Sequence, residues 1–435
     1  MELTTTARWI ETAIWWHVYP LGFTGAEHTL REAGDTVRHR LADLTAWLDY
    51  LVELGCNGLA LGPIFLSSSH GYDTIDHYTI DPRLGDDSDF DQLIDEAHAR
   101  GIKVLLDGVF NHVGRDFSML QRAEANGPDS EAAGWFRWHE VDGRLHPETF
   151  EGHEGLVALN HDHPAVVEYV SDVLTHWLDR GVDGWRLDAA YAVPPRFWSG
   201  ALAGPRGNHP SLWAVGEMIH GDYAGYVAAS GLDSVTQYEL WKAVWSSIND
   251  VNFFELEHAL GRHADFCRSF LPMTFLGNHD VTRLASRIER PEHRDHAQAL
   301  LFFLPGVPSI YYGDEQAFAG IKEERLGGDD EIRPPFPRTG DALHGWDTYH
   351  RLQELISVRR RHPGLQTADV EVVTVENAWL ELAARVDGVE LHLCLNLADD
   401  PRAGSAGQVL AASEGSRTPG TVAAHGWQIT ALGAD

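Results

Sequence analysis

The chain is poor in lysine, in cysteine and in long apolar runs. Lysine occurs only at Lys103, Lys242 and Lys322, so 33 Lys plus Arg face 65 Asp plus Glu, and the formal charge at pH 7 is −32. Such a charge repels a phosphate backbone and an anionic bilayer surface, which excludes nucleic acid and membrane as expected partners. Cys56, Cys267 and Cys394 are scattered, odd in number and without a CxxC pair. That pattern points to neither a disulfide framework nor a zinc site and leaves the thiols as small apolar fillers. No apolar run approaches the ~18 residues that span a bilayer. Met1 to Trp16 carries Glu2 and Glu11 and lacks the basic start, apolar run and cleavage site of a secretory signal, so a cytoplasmic location is expected. Solenoid repeats and low-complexity tracts are also missing.

What is present is a 435-residue chain, 43% hydrophobic and 23% charged, long enough for one large domain with an appendage. Short runs rich in Val, Ile, Leu and aromatics alternate with longer segments of helical period, the pattern of a parallel sheet wrapped in helices. The expected strands are Ile14 to Tyr19, Gly58 to Leu61, Lys103 to Leu106, Gly184 to Leu187, Leu212 to Val215, Ser234 to Tyr238, Met273 to Leu276 and Ser309 to Tyr312. Eight is the number that closes a (β/α)8 TIM barrel. Helices are expected over Leu41 to Leu54, Phe90 to Arg100, Ala165 to Arg180, His293 to Phe303 and Thr348 to Arg361, three of them stopped by Gly55, Gly101 and Gly181.

Val113 to Asn160 is too long for an ordinary strand-to-helix connection, and insertions of that length are usually functional. After His362-Pro363-Gly364 the tail alternates apolar and polar residues over Val370 to Val375, Leu380 to Val386 and Leu391 to Leu397, as an antiparallel sheet does. The expected organisation is an α/β barrel over residues 1–112 and 161–363, an inserted subdomain over 113–160 and a small C-terminal antiparallel β domain over 364–435.

Reactive groups of such barrels gather at the C-terminal ends of the strands. Four of those ends carry carboxylates: Asp107, Asp188, Glu217 and Asp280. One Asp after a strand most often caps a helix or makes a turn. Four together, with His112, Arg186 and His279 beside three of them in apolar surroundings, carry more weight. Arg186 and Asp188 are two apart on a strand and point to one side. The guanidinium is therefore expected to keep Asp188 ionised, and Glu217, facing a charge already present, to be raised and hold a proton. An anion beside a protonated acid is what glycosidic cleavage with retention requires. Taken alone, the Arg186–Asp188 pair would serve equally as a buried ion pair that holds the barrel together.

DGVFNH, GWRLDAA, GEMIHG and GNHD stand in the order and at the barrel positions of the four signature regions of the α-amylase superfamily of glycoside hydrolases. GCNGLALGPIF, HGYDTIDHYTIDPRLG, LVALN and GVPSIYYGDEQ extend the resemblance over about residues 14 to 361. It implies Asp188 as nucleophile, Glu217 as general acid/base and Asp280 as the third carboxylate that stabilises the transition state. It further implies that Arg186 orients the nucleophile with Asp107 bonded to it, that His112 and His279 bind sugar hydroxyls, and that Tyr72 stacks under the ring. Phe110 and Tyr191 are candidates for pocket walls, with core packing an equal alternative.

The departures narrow the expectation. Starch-degrading α-amylases place Lys-His shortly after the nucleophile, where this sequence has Tyr191-Ala192. WRLDAAYAV followed by PRFW is more similar to the cyclomaltodextrinase and neopullulanase group, without the additional N-terminal β domain usual there. GGDDEIRPPFP, with Asp330 and Arg333, resembles a loop that borders the donor pocket in oligosaccharide-acting members, and reads equally as a surface turn. Asn111 matches a calcium ligand of many α-amylases, but Ala192 replaces the residue that completes the site, so no cofactor or required metal is expected, and a structural calcium ion is left open but not required. DDSDFDQLIDE lacks the central Gly of an EF-hand and reads as a helix start. His161-Asp162-His163 precedes Pro164 at a helix start, as a cap does.

The expected activity is retaining hydrolysis of α-glucosidic bonds in short malto-oligosaccharides, through a covalent glycosyl-enzyme, in a closed exo-acting pocket. Alternatives are a transglycosylase or glycoside phosphorylase that shares the first half-reaction, and a non-catalytic binding homologue. The sequence leaves the oligomeric state open.

Overall fold

The computed structural model describes residues 8–433 apart from positions 35 and 326. Eight short strands form one parallel sheet: β1 (Trp15–Val18), β2 (Gly58–Leu61), β3 (Lys103–Gly108), β4 (Gly184–Leu187), β5 (Trp213–Gly216), β6 (Ser234–Val235), β7 (Met273–Phe275) and β8 (Val307–Tyr311). Their order is β6-β5-β4-β3-β2-β1-β8-β7. A parallel bridge between Thr236 and Met273, with Gln237 N–H donating to the Met273 carbonyl at 2.9 Å, closes the two edges into a barrel.

Alternation along each strand divides the barrel into layers. Its floor is aromatic: Trp15 and Trp213 stack with centroids 5.8 Å apart and 14° between planes, packed with Leu105, Met273 and Val307. Two glycines permit close approaches in this layer. A Cβ on Gly58 would come within 2.3 Å of the Trp15 ring, and one on Gly184 within 2.2 Å of the Trp213 carbonyl oxygen. Two residues above this layer, on the same side of their strands, come His17, Asp107, Arg186 and Val215. The floor thus seals the barrel with apolar rings and leaves the polar residues at its mouth.

The expected barrel strands are present, with local differences. Tyr238, expected in the sixth strand, instead opens a helix (Tyr238–Asn249) whose first turn is capped by the Gln237 side chain, which accepts from Leu240 N–H. Asp107 lies inside β3 rather than after it. The span Leu41 to Leu54 is two helices, Leu41–Thr45 and Leu48–Leu54. Trp47 interrupts them with its indole against Tyr50 and Phe336. Gly55, Gly101 and Gly181 all take positive φ, as helix stops require. Within 113–160, a ladder pairs His112–Gly114 with Leu156–Ala158 and a hairpin joins Trp138–Val141 to Arg144–Pro147. The tail forms a five-stranded antiparallel sheet of β9 (Val370–Glu376), β10 (Trp379–Val386), β11 (Val389–Asn396), β12 (Gln408–Ala412) and β13 (Trp427–Leu432), in the order β9-β10-β11-β13-β12. No helix among the described residues is long and apolar enough to cross a membrane.

Histidines glue this fold together as neutral groups. His296 Nε2 lies 3.1 and 3.0 Å from the Asn396 and Gly426 carbonyls of the tail, and His293 Nε2 lies 3.1 Å from His425 Nδ1. His77 and His263 bond to the Val109 and Pro305 carbonyls, and His161 to that of Phe110. Burial pushes His77, His161, His263 and His293 down to about 4. With folded values below the unfolded 6.5, their contribution is complete above pH 6.5 and is lost as pH falls toward 4. Each such group costs about 2 kcal/mol at pH 5 relative to pH 8. Urea unfolding of the wild type and of His263→Gln at both pH values isolates one such group: the stability advantage of the wild type over the variant should shrink by about 2 kcal/mol from pH 8 to pH 5, and a constant difference would contradict this account.

Candidate active site

The mouth of the barrel is organised around one guanidinium. Arg186, 8% exposed at its side chain, points Nη1 at both oxygens of Asp107, each at 2.7 Å, and at Asp188 Oδ1 at 3.2 Å, while Nη2 lies 2.7 Å from Glu217 Oε1. The three acids come from β3, the end of β4 and the end of β5. Glu217 Oε2 accepts from Ala189 N–H at 3.0 Å, and Oε1 accepts from the Tyr238 hydroxyl at 3.3 Å. Ala189, next to Asp188, sits at φ 46°, a left-handed conformation that costs an alanine about 1 kcal/mol or more and marks a constrained turn.

Asp280 approaches from the loop after β7. Its carboxylate lies 3.0 Å from His279 Nε2 and 3.0 Å from Arg333 Nη2, and its N–H donates to Asn278 Oδ1 at 2.8 Å. The Tyr72 hydroxyl donates to Asp107 at 3.1 Å and meets His279 Nε2, with the two rings stacked at 5.3 Å. Tyr19 stacks on His279 at 6.0 Å, and Arg333 lies over the Tyr19 ring at 4.8 Å. On the opposite side the insertion contributes Phe150, stacked on His112 at 4.7 Å, and Glu151, which accepts from the Tyr191 hydroxyl at 2.9 Å. His112 Nε2 and His279 Nδ1 are buried without a hydrogen-bond partner in the protein, as are some core groups such as His161 Nδ1 and His296 Nδ1.

The electrostatics depart from the sequence expectation. Burial opposes the charge on Arg186, but Asp107, Glu217 and Asp188 together hold it well above the ordinary arginine value. Asp188 is raised well above the carboxylate range, first by burial and then by the charge of Glu217, against the pull of Arg186. The expectation that Arg186 alone would keep Asp188 ionised is therefore corrected. One guanidinium is divided among three acids, and Asp188 has the longest contact. Asp280 is pushed the other way: burial opposes its charge, but His279, Arg333 and Arg186 outweigh it and hold it well below the usual range.

The structure brings together Asp107, Arg186, Asp188, Glu217, Asp280, His279, Tyr72 and Arg333, with His112 and Tyr191 toward the insertion. Asp330 stands apart from the carboxylates: it is exposed, 3.8 Å from His28, and the carboxylate paired with Arg333 is that of Asp329, at 2.9 Å. Phe110 is no pocket wall but core, packed against His77, Trp185 and Trp198. Sequence reasoning missed His17, Tyr19, Tyr238, Asn278 and Glu151. The first two were within reach, since they continue the inward face of Trp15 at a spacing of two. Tyr238 was hidden by its assignment to a strand.

Breaking the centre should be costly in a pH-dependent way. Arg186→Ala leaves buried carboxylates without their cation, a loss of ~3–5 kcal/mol. Because those acids regain neutrality by binding protons, the loss should be full at pH 8 and smaller at pH 5.5. Urea unfolding at the two pH values measures it; an equal loss at both would contradict the shared-charge reading.

A family profile described as "Alpha amylase, catalytic domain" matches residues 18–347. Among curated proteins, the chain is 30% identical to a cyclomaltodextrinase of Bacillus sp, over 86% of this chain and 70% of that protein. It is 32% identical to neopullulanase 2 of Thermoactinomyces vulgaris, over 85% of this chain and 66% of that one. Among solved structures, the ligand-free cyclic α-maltosyl-(1→6)-maltose hydrolase of Arthrobacter globiformis is alike in fold, with a TM-score of 0.84 at 23% identity, covering 98% of this chain and 99% of that one. The profile covers three quarters of the chain, including every carboxylate around Arg186 and the Asp280 loop, and the chain therefore belongs to the α-amylase family of glycoside hydrolases.

Proposed function

We propose that this chain cleaves α-glucosidic bonds of short malto-oligosaccharides with retention of configuration. Asp188 is the nucleophile, Glu217 the general acid/base and Asp280 the third carboxylate. The observation that carries this reading is the convergence of Asp188 and Glu217 on Arg186, beside Asp280, at the strand ends of one sealed barrel.

In the first step Glu217 gives its proton to the glycosidic oxygen as that bond breaks, and an Asp188 oxygen bonds to the anomeric carbon. In the second, water attacks the same carbon, Glu217 takes the water's proton, and the bond to Asp188 breaks. Asp280, held ionised by His279 and Arg333, is suited to sugar hydroxyls and to the positive charge that develops on the ring. Tyr72 offers the flat apolar surface that a sugar face needs.

The preference for short or small cyclic substrates is supported by relatives named cyclomaltodextrinase and neopullulanase and by two features of the site. The Glu151–Tyr191 bond narrows one side, and the loop bearing Asp329 and Arg333 narrows the other. A cytoplasmic location is in keeping with a relative named intracellular maltogenic amylase from Bacillus subtilis.

Asp188→Asn should lower kcat on maltotriose by ~10⁴-fold or more, the scale of losing a covalent nucleophile. Product NMR on the unmutated protein should show the α-anomer first. Near-normal turnover by Asp188→Asn, or a β-anomeric first product, would refute the assignment.

Metal is not required on this reading. The Asn111 Nδ2 lies 3.0 Å from His112 Nδ1, and Ala192 stands where the residue that completes a calcium site would be expected. Among the described residues, His39, Asp86 and Asp89 form the one cluster of metal-ligand types; Asp86 and Asp89 cap a helix reciprocally, and Asp89 also pairs with His39. Dialysis against EDTA should leave kcat/KM unchanged within twofold. A loss restored by calcium would contradict this.

A further inference from the structure

The inserted segment carries a hairpin whose outer face the active site does not use. Its strands, Trp138–Val141 and Arg144–Pro147, are joined by Asp142-Gly143, with φ of 51° and 75°. A two-residue turn with both φ positive matches the right-handed twist of a hairpin and fixes its register. That register sets His139 directly opposite His146. The inner face is held to the insertion by Trp138, whose indole N–H donates to the Ala133 carbonyl at 2.8 Å, and by buried Pro147. By alternation His139 and His146 stand together on the outer face, and both are exposed.

Residues directly opposed on one face of a ladder have Cβ atoms ~5 Å apart. Here the two imidazole rings have centroids 6.2 Å apart, with 35° between their planes. Among the described residues neither ring makes a hydrogen bond or an ion pair, so each neutral ring keeps a nitrogen lone pair free. Imidazole nitrogen suits Zn²⁺, Ni²⁺ and Cu²⁺, at ~2 Å, whereas Ca²⁺ and Mg²⁺ take oxygen ligands. Exposed side chains need only turn about their χ angles to aim one nitrogen each at a shared ion. One rung away from the turn, Glu148 and Arg137 pair at 2.8 Å; on the rung toward the turn Val141 faces Arg144. The formal charge of −32 draws dications to the chain as a whole.

We propose that His139 and His146 form a binding site for a divalent transition-metal ion, with water in its remaining positions, and that the bound ion clamps the two strands together. The ion takes no part in bond cleavage. Its effect is mechanical: the second strand leads through Glu148 into Phe150 and Glu151, which stack on His112 and bond to Tyr191, so the clamp acts on the segment that walls one side of the active site. The pair is distinct from His39, Asp86 and Asp89, whose two carboxylates are engaged in a helix cap. The inference goes beyond the glycosidase reading and does not depend on it.

Calorimetric titration of the metal-stripped full chain with Ni²⁺ at pH 8 tests it. The wild type should show a binding event that His139→Gln and His146→Gln each weaken by about tenfold or more, the scale on which losing support for a bound ion is felt. The double variant should lose that event, His39→Gln should keep it, and excess Ca²⁺ should leave it in place. Both histidines are exposed, so none of these changes disturbs the core. Hydrogen exchange read by mass spectrometry should then show Ni²⁺ slowing exchange over residues 138–151 in the wild type and not in the double variant. Equal Ni²⁺ binding by the wild type and the double variant, loss of the event in His39→Gln, displacement by Ca²⁺, or exchange over 138–151 that Ni²⁺ leaves unchanged would overturn the proposal. A wild type that turns over no α-glucoside would overturn the glycosidase reading alone.

Discussion

Arg186 is the group on which the site depends. A buried guanidinium needs counter-charge, and this one has three acids in hydrogen-bond or ion-pair contact, an excess of negative charge in a nearly dry space. Burial and the charge of Glu217 accordingly raise Asp188 well above the carboxylate range, against the pull of Arg186. Asp280 stands apart from this cluster: Arg333 and the His279 ring hold it well below the usual range, and it remains a fixed negative charge.

The rest of the fold serves that arrangement. Stacked indoles fill the floor of the barrel and exclude water from below; Gly58 leaves room for the Trp15 ring, and Gly184 lets its strand approach the Trp213 backbone. The inward alternation of β1, β3 and β4 then sets His17, Asp107 and Arg186 in the layer above. The two loops that flank the mouth are anchored by polar contacts to residues adjoining the catalytic groups, Glu151 to Tyr191 and Arg333 to Asp280. Loop length and loop chemistry thus bear on substrate choice, while the barrel supplies the common chemistry.

Much of this was legible in the sequence because it rests on periodicity. Strand ends follow from apolar runs, and a spacing of two places Arg186 and Asp188 on one face. Other features were not legible because they depend on distance. How one guanidinium divides itself among Asp107, Asp188 and Glu217 is not written in any local pattern, and the expectation that Arg186 alone keeps Asp188 ionised was overturned by burial and by the neighbouring charge of Glu217. Tyr238 and Asn278 escaped for a similar reason: each is an ordinary residue until the fold brings it to Glu217. In GGDDEIRPPFP the choice between Asp329 and Asp330 turned on one residue of helical offset, since Asp329 and Arg333 are four apart and meet.

The central claim is that the carboxylate with the weakest hold on Arg186 is the one that attacks the sugar. Incubation with 5-fluoro-α-D-glucosyl fluoride, which slows release of a glycosyl-enzyme, followed by proteolysis and peptide mass spectrometry, tests it most directly. The account predicts one added fluoroglucosyl group on the peptide that contains Asp188, at Asp188 itself. A label on Glu217 or Asp107, or none while the fluoride is consumed, would contradict it.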